Sequence, residues 1–102
     1  MKRRQFNIYV AQVCDVFGVS KYDIFTKTKK RSVVDARQML YYICKNRPMP
    51  IVYIQKFMRE EGYDVCHSPI IHGINVVQKK IDTDVDWREA LVQSTRKGGA
   101  NV

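Results

Sequence analysis

No apolar run in this 102-residue sequence approaches the roughly 18–20 residues that span a bilayer, so no membrane partner is expected. The three cysteines, Cys14, Cys44 and Cys66, lack any C-x-x-C pairing. An odd, widely spaced set argues against a disulfide framework and against structural zinc, and fits a reducing compartment. Cys66, His67 and His72 lie close in sequence, but a five-residue step on a helix does not bring two imidazoles together and no carboxylate cluster adjoins them, so no metal is expected. Met1-Lys2-Arg3-Arg4-Gln5 is not followed by the apolar stretch of a secretory leader, which points to the cytoplasm. Also missing are G-x-S-x-G, H-E-x-x-H and a glycine-rich phosphate loop. Glu60 and Glu61 are neighbours and therefore project from different sides of a helix. Neither catalysis nor a cofactor is expected.

Acidic residues are scarce in one half of the chain. Residues 1–47 carry eleven Lys and Arg against three Asp, whereas residues 48–102 carry seven of each sign, so the whole net charge of +8 sits N-terminally. Such a balance suits a polyanion, and the absence of a long amphipathic basic helix favours nucleic acid over a membrane surface. With 45% hydrophobic residues the chain is composed to fold, and its length allows one domain.

The apolar pattern is helical throughout. Phe6, Tyr9, Val10, Val13, Val16 and Phe17 line one face of a helix that Gly18 can close. Ser20 and Asp23 have capping-box spacing, with Val19 placed to staple onto Ile24, and predict a short helix over about 21–26. Thr26-Lys27-Thr28-Lys29-Lys30-Arg31-Ser32 has no apolar anchor and reads as an exposed basic loop. Ser32 is the expected cap of a third helix, with Val33, Ala36, Leu40, Ile43 and Cys44 buried and Val34, Gln38, Tyr41 and Lys45 on another face.

Pro50 suits the first turn of a helix over about 50–61, with Ile51, Ile54 and Met58 inward and Gly62 as terminator. Ser68-Pro69 reads as the cap and first residue of a fifth helix carrying Ile70, Ile74, Val77 and Ile81. Gly73 inside it implies a close neighbour, with the preceding helix the simplest candidate. Thr83 and Asp86 suggest a capping box for a short sixth helix bearing Val85, Trp87 and Leu91. The expected organisation is a basic extension over residues 1–5, a helical domain over 6–93 and a disordered tail over 94–102.

Two helices joined by a short Gly62-containing connector have the form of a helix-turn-helix. In such a unit the leading residues of the second helix meet base edges, here His67, Ser68, Pro69, Ile71 and His72. Imidazole and hydroxyl groups can donate or accept there, and an aliphatic side chain can touch a thymine methyl.

The blocks Val19-Ser20, Asp23-Ile24 and Lys29-Lys30-Arg31-Ser32-Val33-Val34-Asp35-Ala36-Arg37-Gln38-Met39, followed by Cys66-His67-Ser68-Pro69-Ile70-Ile71-His72-Gly73, resemble the C-terminal DNA-binding domain of the bacterial replication initiator DnaA. The likeness covers about residues 6–93 and implies a compact all-α bundle of five to six helices containing a helix-turn-helix, similar to that domain and Trp repressor-like. It implies a stand-alone module from a bacterium or phage, without the initiator's ATPase, whose partner is double-stranded DNA. By position, Lys29 falls on the minor-groove residue with Lys30 and Arg31 beside it. Arg37, Gln38 and Lys45 fall on phosphate-holding residues, and His67 and Ser68 on base-reading ones. Lys27 joins this cationic set by charge alone.

Val65-Cys66 stands where the family has Arg-Asp, Pro69 replaces its second Thr, and the helix over 50–61 with its connector is several residues longer. These departures imply an altered sequence preference. A competing expectation is an adaptor that has lost base readout and offers Val65, Cys66, Pro69 and Ile71 as an apolar patch to host or phage replication or transcription proteins.

Overall fold

A computed structural model of the chain, described here over residues 1–95, comprises six helices: α1 (Lys2–Phe17), α2 (Lys21–Ile24), α3 (Arg31–Asn46), α4 (Ile51–Glu60), α5 (His67–Thr83) and α6 (Val85–Thr95). Among the described residues there is no strand, and no helix is long and apolar enough to cross a membrane.

α3 is the axis of the fold. Val33, Ala36, Met39, Leu40, Ile43 and Cys44 are essentially inaccessible, and the helix packs against α1, α2, α4, α5 and α6. Because α3 is enclosed on most of its circumference, Tyr41 and Tyr42 are buried as well. α1 lays Phe6, Tyr9, Val10 and Val13 against it, and the Phe6 ring meets Phe57 of α4 at 5.4 Å and Phe25 at 6.3 Å. Phe57, absent from the inward set read from the sequence, is as much core as Ile54 and Met58, while Ile51 is only half-buried.

Helix ends follow the sequence in part. Gly18 ends α1 at φ 67°, and Ser20 and Asp23 form the reciprocal capping box of α2. Gly62, at φ 93°, allows the Tyr63 N–H to reach the Met58 carbonyl and its own N–H to reach the Arg59 carbonyl. That paired pattern is a Schellman ending, which reverses the chain sharply after α4.

The starts of α3, α5 and α6 differ. α3 starts at Arg31 rather than after Ser32, because Thr28 Oγ1 accepts from the Lys30 N–H and the Lys30 carbonyl takes the Val33 and Val34 N–H groups. α5 starts at His67 with extended Cys66 ahead of it, so Ser68 and Pro69 are its second and third residues. Proline fits there as well as at the first position, since the first four N–H groups have no intrahelical acceptor. Asp84, not Thr83, holds the start of α6: its Oδ1 accepts from the Asp86 N–H, while Thr83 Oγ1 donates back to the Lys79 carbonyl. Val85 there is exposed rather than packed.

Residues 2–5, read as an extension, form the first turn of α1, where Arg3 donates to Glu60 and to Glu61 of the α4 end. The expected tail lies outside the described residues from Arg96 onward, and Ser94 and Thr95 belong to α6.

Candidate nucleic-acid interface

The geometry of the candidate site begins with α2, a single turn whose C-terminal carbonyls need partners. Arg37 supplies them from α3: Nε donates to the Ile24 carbonyl at 2.9 Å, and Nη2 donates to those of Thr26 at 2.9 Å and Asp23 at 3.2 Å. The residue is only 6% exposed. The structure therefore places the residue matched to a phosphate-holding position inside the fold, with Nε and Nη2 on backbone carbonyls at the point where the basic loop begins.

From Thr26 the loop runs across to the α4–α5 turn. Lys27 Nζ donates to the Asp64 carbonyl at 2.9 Å and lies 4.7 Å from the centre of the Tyr63 ring; the Arg37 guanidinium lies 4.6 Å from the same ring. Tyr63 thus holds two cations, one from the loop and one from α3, and borders both adjacent clefts. One is lined by Lys27, Thr28, Lys29 and Tyr63. The other, about 150 Å³, includes Gln38, Tyr41, Tyr63, Pro69 and His72. Sequence reasoning missed Tyr63 because its neighbours along the chain give no sign of the two cations that the fold brings beside it.

The structure accordingly brings the loop and the leading turn of α5 onto one surface. Lys29, Lys30 and Arg31 are exposed, the last within 3.7 Å of Asp35. His67, Ser68, Pro69 and His72 are exposed, and Ile71 is 44% accessible. No side chain caps the start of α5. Its leading N–H groups and the positive end of its dipole therefore face outward, as a phosphate requires. Two carboxylates interrupt the cationic field: Asp35 beside Arg31, and Asp64, which lies 3.4 Å from Arg59.

Two other sequence candidates are placed differently. Gln38 is half-buried, with its side chain against Gly73, and forms a cleft wall rather than a projecting contact. Lys45 is exposed at the last turn of α3, about 21 Å along the helix axis from Arg31 at 1.5 Å per residue. The neighbour that requires Gly73 is α3, not α4: a Cβ there would stand 3.1 Å from Gln38 Cγ and from Tyr41 Cδ2. Val65, offered as part of an apolar surface patch, is 7% exposed, and its carbonyl accepts from Gln55 Nε2 at 2.9 Å. It turns inward because the extended connector must bury something to keep the chain against α4. Of the cysteines, Cys66 is exposed; burial raises the thiol pKa of Cys44, and burial followed by the nearby Asp23 charge raises that of Cys14 against an opposing effect of Lys21.

A sharply reversed helix pair, with the second helix open at its N-terminus and a basic loop tied to the turn, defines a helix-turn-helix module. The chain belongs to the family described as bacterial DnaA protein helix-turn-helix, whose model matches residues 7–77. Among curated relatives, the chromosomal replication initiator protein DnaA of Bacteroides thetaiotaomicron is 30% identical over 77 residues, covering 74% of this chain and 16% of that protein. DnaA of Lachnoclostridium phytofermentans is 24% identical over 86 residues, covering 83% of this chain and 18% of the relative. The matched part of this chain thus spans about a sixth of the length of these relatives. No solved structure matches the chain significantly.

Proposed function

We propose that this chain is a double-stranded DNA-binding module in which the loop over residues 27–31 engages one groove and its phosphates while the leading turn of α5 enters the adjacent major groove. The observation that carries the reading is the bond from Lys27 to the Asp64 carbonyl, which supports a fixed spacing between the two contact elements. Lys27, Lys29, Lys30 and Arg31 supply the charge; Lys45 adds a distant phosphate contact, and Arg37 serves as a brace. His67, Ser68 and His72 read base edges, with Pro69 and Ile71 packing against them and Gln38 lining the cleft behind. Phosphate contacts fix register without conveying sequence. Since Val65 and Cys66 replace a charged pair ahead of His67, the preferred sequence differs from that of the initiator. No step of this function calls for a nucleotide or a metal.

Selection of bound oligonucleotides from a random duplex pool at physiological salt tests this directly. A consensus is expected, and His67→Ala should flatten it at one or two positions while leaving non-specific affinity intact. Affinity confined to roughly 10⁻⁴–10⁻⁶ M for every duplex would defeat base readout. It would favour an adaptor instead, whose apolar surface would be reduced to Cys66, Pro69 and Ile71 by the burial of Val65.

A further inference from the structure

At the start of α1 lies a groove lined by Met1, Lys2, Arg4, Ile8, Arg47 and Met49, together with Gln5. Met1 is 82% and Ile8 40% exposed, an apolar floor open to solvent. Three cations border it and no carboxylate lines it. Among the described residues Lys2 and Arg4 pair with no acid, and Arg47 makes one bond, from Nε to the Tyr9 hydroxyl. Arg3, between Lys2 and Arg4 in sequence, is paired with Glu60 and Glu61. The groove therefore asks for an acidic segment with a small apolar side chain.

The chain carries such a segment. The α5–α6 turn presents Asp82, Asp84, Asp86 and Glu89, while its cations are turned to the fold itself, Arg88 Nη1 donating to the Ile81 carbonyl and Lys80 Nζ lying 4.6 Å from the centre of the Trp87 ring. In its middle Val85 is 66% exposed. Within one molecule the turn and the groove cannot meet. Trp87 packs on Phe17 at 5.7 Å, at the opposite end of α1 from the groove, about 22 Å from Lys2 at 1.5 Å per residue. Residues 96–102 bring Arg96 and Lys97, the same sign as the groove, so that stretch of the chain does not complement it.

We propose that the acidic α5–α6 turn of one molecule docks, Val85 inward, into the basic groove of a second copy. Because the two surfaces differ and sit at opposite ends of α1, the contact is heterologous and extends head to tail instead of closing a symmetric dimer. Exposed charges of this kind associate weakly in free solution. When a duplex holds the copies side by side, however, their effective concentration rises and the contact becomes cooperative. That cooperative arm rests on the DNA-binding reading; self-association in the absence of DNA does not.

Charge reversal tests the pairing with two variants, Lys2→Glu/Arg4→Glu in the groove and Asp82→Lys/Asp86→Lys in the turn. Lys2 and Arg4 are exposed in the first turn of α1, where glutamate suits the helix dipole, so the groove variant keeps its fold. Sedimentation at low ionic strength, without DNA, should show concentration-dependent association of the wild type. Each variant alone should remain monomeric, since its groove and turn then carry one sign, and an equimolar mixture should associate again. On long duplex, the wild type should bind about fivefold or more tightly per copy than on a duplex holding one copy, a typical size for such coupling, with the difference lost in each variant. A wild type that stays monomeric at every concentration and binds long duplex without cooperativity, or a mixture that behaves as its separate components, overturns the proposal. Failure of all the proteins to bind DNA, with association in the mixture intact, would strike the DNA-binding reading alone.

Discussion

Two of the cationic regions of this molecule use their charge differently. At the junction of α1 and α4, Arg3 meets Glu60 and Glu61 and stacks near Phe6 and Phe57, so its charge is answered within the fold. Across the loop from Lys27 to Arg31, Lys29 and Lys30 have no carboxylate partner among the described residues, and the acid near Arg31 is shared with Lys80. Charge that is matched internally contributes to folding; charge held in the open by a rigid frame is available to a ligand. Net charge cannot tell these apart, because both regions contribute to the same +8.

The comparison breaks most visibly at the frame. Arg37→Met removes the donors that hold three carbonyls, two of them with bonds of 2.9 Å, and should cost about 3 kcal/mol of stability for orphaned buried acceptors. Thermal denaturation should register this as a fall of about 15 °C for a domain of this size. Because the loop starts where Arg37 pins it, duplex affinity should fall as well, although no surface cation has been touched. Full retention of both would mean that Arg37 is no brace.

Next comes the open charge itself. With Lys27, Lys29, Lys30, Arg31 and Lys45 on phosphates, log K against log salt should have a slope of about −4.5, at about 0.9 per neutralised phosphate. Replacing Lys29, Lys30 and Arg31 by alanine should bring it to about −2, with the melting temperature nearly unchanged. An undiminished slope would place the phosphate contacts elsewhere on the chain.

Tyr63 sharpens the contrast, since it serves the frame and the open cations together. Tyr63→Leu keeps apolar bulk but loses two cation contacts worth about 0.5–1 kcal/mol each. Titration should show duplex affinity reduced about tenfold, and the salt slope slightly shallower as Lys27 becomes mobile. The smallest effect on duplex binding belongs to the matched region: Arg3→Ala should lower stability by about 1–2 kcal/mol, since it loses two partly exposed carboxylate partners and two aromatic contacts. Its salt slope should match the wild type, and a large change there would show that α1 also contacts the ligand.

The helices were legible where a residue's role depends on its near neighbours. The Phe6 to Phe17 pattern, Gly18, the Ser20 and Asp23 box and Gly62 all act within a few residues, and each stands as read. What was not legible involved competition or distance. Thr28, Lys30 and Ser32 could each have ordered the start of α3, and which one does so depends on where the loop is anchored. Arg37 lies on a helix face that sequence alone leaves open to solvent or interior; only the return of α2 makes it internal. The α3 partner of Gly73 could not be read either, because α4 is nearer in sequence while α3 is nearer in space.

The interface was legible in its two halves, the basic loop and the leading turn of α5. The strap between them was not. It runs from Lys27 to Asp64 across 37 residues, and Tyr63 carries no sign in the sequence that it will sit beside two cations.

The bare backbone at Gly73 sets how far α5 stands off from α3, since the Gln38 and Tyr41 side chains lie directly against it. A larger side chain at that point would act as a shim, tilting the outward end of the helix while leaving every outward-facing atom chemically unaltered. Preference among targets could then drift through a change buried in the packing, and a survey of the exposed residues alone would never find its cause.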